Sequence, residues 1–235
     1  MPMKWLGLDF ETTGLNEEVD RVIEIGAVVW NMDVNAPECL YSELVLPDDL
    51  SEISQEIVNI TGITMNMLEQ YGIDSYQAFT RLKHLIDSCD VVVAHNMSFD
   101  RKFFDKEMSR LGLPANKNKL WVDSMTDVPY PETIATRKLT YLAADHGIVN
   151  PFAHRALFDV ITMMQLVSNY SEKEILQRAQ SPNVEVISHV SYDEREAAKQ
   201  MGFRWDGQNK KWARLMKLCD VEHQNFPFQV TVVEY

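Results

Sequence analysis

Short apolar segments recur along the first 170 residues and predict a sheet covered by helices. The segments at 5–10 and 22–30 read as strands, and the second is too uniformly apolar to alternate, which is typical of a central strand. The remaining predicted elements are a strand at 41–46, helices at about 52–61 and 76–87, a strand at 91–94, a helix from 98 to 112, a strand at 120–122, and helices at 139–146 and from about 157. Strands followed by alternating helices and strands indicate an α/β fold with a mixed sheet.

The pattern changes near residue 180, where a polar stretch, Gln180 to Asn183, follows a short predicted helix. Residues 1–180 contain 15 basic and 27 acidic side chains, whereas residues 181–235 contain 7 and 8. We therefore predict a first domain at 1–180 and a small α+β accessory domain at 184–235.

The composition excludes several classes of protein. With 46% hydrophobic residues and 24% charged residues, the chain is neither disordered nor fibrous. A net charge of −13 argues against recruitment to a membrane or a duplex by overall positive charge. The three cysteines, Cys39, Cys89 and Cys219, are too far apart for a zinc or redox motif, and no signal peptide or membrane span is visible. We expect a reducing, cytoplasmic location.

Two acidic side chains end the first predicted strand. Because side chains alternate across a strand, Asp9 and Glu11 point to one face while Leu8 and Phe10 point to the other. Like charges this close cost free energy unless a cation or a proton intervenes, and a hard divalent cation such as Mg²⁺ is the natural compensator. The alternative is a pair of solvated acids at a strand end.

Two further groups carry candidate chemistry. Asp100 falls in the first turn of the helix that begins near Ser98, where helix capping is the alternative explanation. Asp159 lies beside the apolar face of its helix and needs a partner. His154 can serve the same site only from the start of that helix, which is where Pro151 places it; otherwise it is a surface or capping residue.

The three groups together resemble a known family. The motifs are D-F-E-T-T-G-L at 9–15, A-H-N-x-x-F-D at 94–100 and H-R-A-L-x-D at 154–159. They resemble the DEDDh, or DnaQ-like, 3′-to-5′ exonucleases, and their local sequences are most similar to exonuclease X and the epsilon proofreading subunit of bacterial DNA polymerase III. The resemblance spans residues 4–167 and implies a ribonuclease-H-like mixed sheet of five strands flanked by helices.

The resemblance also implies a two-metal site for Mg²⁺, with Mn²⁺ able to substitute. Asp9 would bridge both ions, Glu11 and Asp159 would complete the site of the ion that binds the attacking water, and Asp100 would hold the second ion. His154 would act as the general base. The candidate substrate contacts are Thr12, Leu15, Asn96 and Phe99.

Each substrate contact has a structural alternative. Thr12 is otherwise an ordinary turn residue, Leu15 ordinary packing, and Asn96 a cap at the helix entry. Phe99 is spaced i, i+4 from Phe103, which is typical of a core contact.

The second domain has its own pattern. It reads as a strand at 184–190, a helix opened by a capping box at Ser191 and Glu194, and a hairpin over 203–214. If Asp206 and Asn209 face each other in that hairpin, the pairs that follow are Phe203 with Trp212 and Trp205 with Lys210.

The hairpin belongs to the basic part of the chain. Residues 195–217 contain seven basic and two acidic side chains. Basic residues interleaved with aromatic ones suit single-stranded nucleic acid, but a domain of about 50 residues also needs large side chains in its core. We interpret the three aromatic rings as core and assign nucleic-acid contact to the charges. The stretch resembles a short module of phage and bacterial DNA-processing proteins.

These observations predict a metal-dependent 3′-to-5′ exonuclease that releases nucleoside monophosphates from nucleic acid, with single-stranded or frayed DNA as the substrate. A polymerase or repair protein is a candidate partner, and no membrane is expected. One alternative is an exonuclease for RNA or short oligonucleotides. Another is a non-catalytic adaptor that binds nucleic acid or a polymerase, although a binding module gains nothing from clustered carboxylates that repel each other.

Overall fold

A computed structural model describes residues 3–115, 118–131 and 133–234. The chain divides into two compact units, the first ending at Glu172 and the second beginning at Lys173. In chain order the first unit contains β1 (Trp5–Thr12), β2 (Val22–Asn31), β3 (Ala36–Leu46), α1 (Gln55–Thr61), α2 (Met65–Tyr71), β4 (Ile73–Asp74), α3 (Ser75–Ser88), β5 (Val91–Ala94), α4 (Met97–Arg110), β6 (Leu120–Asp123), α5 (Leu139–Asp145) and α6 (Ala156–Val167).

The first unit is built on a mixed sheet, as the sequence predicts. Its strand order is β4-β3-β2-β1-β5-β6, in which β1, β2 and β3 are antiparallel and the pairs β1–β5, β5–β6 and β3–β4 are parallel. The five predicted strands are present. The two-residue β4 adds a sixth at the edge, and the short helix α2 before it is also absent from the sequence prediction. Neither segment is long enough to show a hydrophobic period.

Helix α6 packs directly on the centre of the sheet because two glycines make room for it. A methyl group on Gly7 of β1 would lie 2.6 Å from the Cγ atom of Met164. A methyl group on Gly26 of β2 would overlap the backbone at Ala156, where α6 begins. The odd-numbered side chains of β1 therefore face α6, while its even-numbered ones join the core with α3 and α4.

The second unit contains a separate antiparallel sheet. Its elements are α7 (Glu172–Gln180), which starts at the division, β7 (Asn183–Ser188), α8 (Arg195–Gln200), β8 (Arg204–Asp206), β9 (Lys211–Lys217), α9 (Leu218–Val221) and β10 (Val230–Glu234). The strand order is β10-β7-β9-β8, and β10 is absent from the sequence prediction. The observed division falls at the start of α7, whereas the predicted first domain includes this helix and ends at residue 180. The predicted domain limits of 1–180 and 184–235 stay a prediction. No helix in the described ranges combines the length and apolar character needed to cross a bilayer.

The predicted register of the C-terminal hairpin is wrong by two residues. Trp205 lies opposite Trp212, and Asp206 lies opposite Lys211. The connection between the two strands is therefore four residues long. The Asp206 carboxylate accepts hydrogen bonds from the backbone of Gln208 and Asn209, both at 3.0 Å, and these bonds stabilise a turn that begins after Asp206. The new register moves Trp205 next to Trp212 instead of next to Lys210.

Candidate active site

Strand β1 delivers the first two carboxylates to the face covered by α6. Asp9 pairs with Gly26 of β2, and Glu11 pairs with Glu24. Both acids are partly buried and lie on the same side of the strand, as the alternation of the motif predicts.

Asp100 reaches this site from the first turn of α4. Strand β5 pairs with β1 only as far as Gly7, so the backbone N–H groups further along β1 need other acceptors. The N–H of Phe10 donates to Oδ1 of Asp100 over 3.1 Å. Asp100 is 1% exposed, and its carboxylate also accepts a hydrogen bond from its own backbone N–H in the first turn of α4, so it is a buried partner of both the strand and the helix.

Asp159 comes from the first turn of α6. Its two carboxylate oxygens accept hydrogen bonds from the side-chain amide of Asn150, at 2.5 Å, and from the backbone N–H of His154, at 2.8 Å. One carboxylate oxygen from each of Asp9, Glu11 and Asp159 lies within 4.8 Å of the others. Folding therefore gathers acids that are up to 150 positions apart in the chain.

Burial and nearby negative charges raise the pKa values of the four acids. Burial has the largest effect on Asp9, followed by the charges of Asp100 and Glu11, and its pKa lies well above the ordinary range. Burial and the charge of Asp159 raise the pKa of Glu11 to about 8. Burial also raises the pKa values of Asp100 and Asp159, against the opposing effect of the hydrogen bonds that each accepts. The metal-free site thus favours protonated carboxyls.

These residues fit a divalent metal ion. Every donor is a carboxylate oxygen, the ligand type that Mg²⁺ and Mn²⁺ take in proteins. A doubly charged cation would also remove the repulsion that raises the pKa values of Asp9 and Glu11. Asp9, Glu11 and Asp159 are close enough to one another to share one ion. The charge of Asp100 acts on the same site, because it raises the pKa of Asp9.

The raised pKa values predict an inverse pH dependence of metal-free stability. Between about pH 4.5 and pH 8 the folded protein keeps a proton on Glu11 that the unfolded chain releases, so stability falls as pH rises through this window. A divalent cation bound to the deprotonated acids would oppose the fall. In EDTA we expect the Tm to fall by roughly 5 °C between pH 5 and pH 8.

The measurement is calorimetry with and without Mg²⁺ at both pH values. Mg²⁺ should raise the Tm more at pH 8 than at pH 5, and Glu11→Gln should reduce the pH dependence in EDTA. An equal effect of Mg²⁺ at both pH values would contradict this account.

His154 lies on the exposed side of the cluster, immediately before α6. Its backbone has φ +64, a left-handed conformation that few non-glycine residues adopt, and its N–H is held by Asp159. The sequence places His154 at the start of the helix, and the structure agrees. The side chain is exposed and is therefore available to substrate and solvent.

An ion pair that the sequence analysis does not include anchors the third motif. Glu24, near the start of β2, is 2% exposed and accepts hydrogen bonds from the Arg155 guanidinium, the shortest at 2.7 Å, and from the N–H of Ala156 at 3.0 Å. The pair fixes the chain between His154 and Asp159. An acid inside a uniformly apolar central strand was the available signal, because a buried charge requires a partner.

Replacing Glu24 should affect both stability and catalysis. In Glu24→Gln the amide can still accept a hydrogen bond, but Arg155 loses its charged partner, at an expected cost of about 2 kcal/mol. The start of α6 then loosens, and turnover should fall roughly 10-fold or more because His154 and Asp159 lose their positions. Denaturant unfolding and kcat measure the two effects.

Glu43 provides a matched control. It forms an ion pair with Arg81 at 2.8 Å, and the Arg81 side chain is 55% exposed. Surface pairs of this kind contribute about 0 to 1 kcal/mol, so Glu43→Gln should leave turnover unchanged. If Glu24→Gln loses stability but keeps full turnover, the pair supports the fold without positioning the site.

The four predicted substrate contacts lie on the segments that carry the acids. Thr12 is buried next to Glu11 and donates its hydroxyl to the Gly14 carbonyl at 2.6 Å. Leu15, in the following loop, is 84% exposed, so ordinary packing does not explain it. These positions are compatible with substrate contact, which stays a prediction.

The other two contacts lie close before Asp100. Asn96 is the residue that precedes α4, in the left-handed conformation with φ +66, and its backbone carbonyl accepts from the N–H of Phe99 at 2.9 Å. Its position at the helix entry agrees with the capping alternative, although its side chain accepts from the Ser98 hydroxyl at 3.3 Å and not from a backbone N–H. The N–H of Asn96 donates to Oδ1 of Asp123 at 3.2 Å. Phe99 is partly buried against Phe103, with ring centroids 4.8 Å apart, in agreement with the core-contact alternative.

Comparison with known proteins agrees with this geometry. Residues 6–167 match the family model described as an exonuclease. The chain belongs to this family. The DnaQ-like DEDD 3′-to-5′ exonuclease identity that the motifs predict is confirmed, and its finer similarity to exonuclease X and the epsilon subunit stays a prediction. Residues 185–233 match a second model, described as a domain of unknown function.

The curated relatives include DNA polymerase III of the PolC type from Thermotoga maritima, 33% identical over 178 residues, which cover 70% of this chain and 12% of the relative. The same polymerase from Pediococcus pentosaceus is 30% identical over 158 residues, covering 66% of this chain and 10% of the relative. The chain thus spans about a tenth of the length of these relatives.

Solved structures share the fold at lower identity. Exonuclease I of E. coli in complex with single-stranded DNA matches with a TM-score of 0.64 and 17% identity over 80% of this chain and 48% of that one. A 3′-exonuclease that recognises the histone mRNA stem-loop matches with a TM-score of 0.60 and 17% identity, over 71% of this chain and 62% of that one. The ribonuclease-H-like fold class is confirmed.

Proposed function

We propose that this exonuclease removes nucleoside monophosphates from the 3′ ends of DNA, in single strands or frayed ends, with two divalent metal ions. The observation that carries the proposal is the convergence of Asp9, Glu11 and Asp159, whose ligand oxygens lie within 4.8 Å of one another. A non-catalytic adaptor has no use for this cluster, because its repulsion destabilises the fold when no cation is bound.

The acids and the histidine have different roles in the proposed reaction. Asp9, Glu11, Asp159 and Asp100 would hold Mg²⁺, or Mn²⁺ in its place. When bound, such ions stabilise the charge on the phosphoryl oxygens and lower the pKa of the attacking water. An imidazole nitrogen of His154 takes the proton of that water while the water oxygen forms its bond to phosphorus. The bond from phosphorus to the 3′-oxygen breaks, and solvent protonates that oxygen.

The substrate strand would meet the loops around the cluster. Leu15 is the best placed of the four predicted contacts to touch a terminal base, because its side chain is exposed in the loop that follows Glu11. Thr12 would contact the terminal 3′-hydroxyl through its backbone. Asn96 and Phe99 are proposed to flank the strand beside Asp100.

Oligonucleotide digestion tests the proposal. Matched DNA and RNA 20-mers, labelled at either the 5′ or the 3′ end, are incubated with the full chain in Mg²⁺ or in EDTA. We expect Mg²⁺-dependent release of mononucleotides from the 3′ end, with DNA degraded faster. Faster degradation of RNA would favour the exoribonuclease alternative, and no degradation of either would favour the adaptor.

The cellular context follows from the same proposal. The PolC-type relatives are DNA polymerases, which supports a role for this chain beside a polymerase or in repair. A cytoplasmic location, where such partners and Mg²⁺ are present, is part of the proposal.

A further inference from the structure

One large aromatic ring of the second unit lies outside its core. Phe203 is 2% exposed and packs with Phe226 and Phe228, as expected of a core residue. Trp205, two positions along, is 52% exposed on the edge strand β8 and packs on one side against Trp212, with ring centroids 5.7 Å apart. The interpretation of all three predicted rings as core is therefore wrong for Trp205.

Two lysines lie close to the tryptophan pair. Lys210 ends the turn that joins β8 to β9, is exposed, and has no ion pair with any residue that the structure describes. The Lys199 ammonium lies 5.9 Å from the centre of the Trp212 ring. Arg204, next to Trp205 on β8, points to the opposite face of the sheet.

The charge here contrasts with the rest of the chain. Residues 195–217, which contain α8, β8 and β9, have seven basic and two acidic side chains, although the net charge of the whole chain is −13. A local basic segment with an exposed ring suits a ligand that is both anionic and aromatic. Single-stranded nucleic acid combines the two, whereas paired bases do not offer their faces to a side chain.

We propose that the Trp205 surface, made of Trp205, Trp212, Lys199 and Lys210, binds single-stranded nucleic acid. A base stacks on the exposed side of Trp205, and the cations contact the adjoining phosphates. The proposal rests on the proposed function, because it supplies the strand that the exonuclease unit would degrade, and it gives a ligand to a domain of unknown function.

Binding without cleavage tests the surface directly. The affinity of the full chain for a fluorescent dT20 oligonucleotide is measured by anisotropy in EDTA, so that the result is independent of hydrolysis. Trp205→Ala should raise the Kd roughly 5- to 100-fold, the range for losing one stacked base, while Trp205→Phe keeps a ring and should retain most of the affinity. A Lys210→Gln variant should reduce the dependence of log Kd on log salt by about one unit.

Leu215 is the matched control. It is 65% exposed on β9, three positions from Trp212 and hence on the opposite face of the same sheet. Leu215→Ala should leave the Kd unchanged. An unchanged Kd in Trp205→Ala overturns the proposal, and so does an equal loss in Leu215→Ala. If Lys210→Gln loses binding while Trp205→Ala keeps it, the proposal is also overturned. That result would indicate an unspecific anion site, such as one for an acidic protein, which needs no stacking.

The two proposals fail separately. If the chain binds dT20 through Trp205 but releases no nucleotide in Mg²⁺, the proposed hydrolysis fails while the Trp205 surface stands. If cleavage proceeds and Trp205→Ala changes neither the Kd in EDTA nor the KM for a 20-mer, only the Trp205 surface fails.

Discussion

Asp100→Asn is expected to lower turnover by more than about 10⁴-fold, beyond the loss that removal of a single general base causes. Asparagine keeps an oxygen that can accept the hydrogen bond from the N–H of Phe10, and so preserves the connection between α4 and β1. It removes only the negative charge that the proposed metal site requires. Single-turnover digestion of a 3′-labelled oligonucleotide in Mg²⁺ gives the result.

The same substitution should make the metal-free protein more stable. The Asp100 charge is the largest electrostatic contribution to the raised pKa of Asp9, so its removal relieves repulsion inside the cluster. We expect a higher Tm in EDTA than the unsubstituted protein has, and less stabilisation by Mg²⁺. Lower stability together with inactivity would mean that Asp100 acts mainly through the fold.

Asp105 gives the matched control. It lies on the same helix, is exposed, and makes only a loose ion pair with Arg101 at 3.7 Å. Asp105→Asn should leave both turnover and the effect of Mg²⁺ on the Tm unchanged. Full turnover in Asp100→Asn would mean that Asp100 is not part of the active site.

His154→Ala should lower turnover by roughly 10² to 10⁴-fold and leave measurable activity. The remaining carboxylates still provide the proposed metal site, while the proton of the attacking water must go to solvent. Added imidazole should restore part of the rate, since it can take the proton in the space that the side chain vacates. Rapid-quench digestion with and without imidazole gives both rates.

The left-handed backbone at His154 calls for a second variant. Asparagine tolerates φ +64 better than alanine does, and it keeps the N–H that donates to Asp159. His154→Asn should therefore be as inactive as His154→Ala if the missing group is the base. If His154→Asn kept nearly full turnover, the histidine would only shape the loop. His84, exposed on α3, is a control position at which alanine should change nothing.

The proposed site also explains how an acidic protein can act on an anionic substrate. Four of the acidic residues, Asp9, Glu11, Asp100 and Asp159, lie in the proposed metal site, where bound cations would neutralise their charges. The basic segment at 195–217 supplies a separate region of positive charge. Local charge can therefore attract a strand that the net charge of −13 would repel.

Some features follow from local sequence alone. The period of two places Asp9 and Glu11 on one face of β1, and the apolar runs define β2 and β5, because side-chain alternation and burial act between near neighbours. The short segments β4 and α2 carry too few residues for any period, so the pattern could not reveal them. The motif resemblance assigns Asp100 and Asp159 to the same site as Asp9 and Glu11 without any knowledge of the fold.

Other features depend on contacts between distant residues. Glu24 looks like an anomaly in an apolar strand until α6 brings it Arg155, which lies 131 positions away in the chain. Its role could not be predicted because a single buried acid does not identify its partner. The register of the C-terminal hairpin likewise depended on how the Asp206 side chain bonds in the turn, and the exposure of Trp205 depended on how the edge strand β8 packs.

The sequence by itself thus determined the longer strands and helices of the first unit and the candidate acidic residues, because propensity, alternation and motif spacing are local properties of the chain. Only the tertiary structure decided how close those acids come, which ion pair anchors the third motif, and which aromatic ring of the second unit stays outside its core. Burial and electrostatic repulsion depend on distances through space rather than on separation along the chain, so these properties arise only when the elements of each unit pack together.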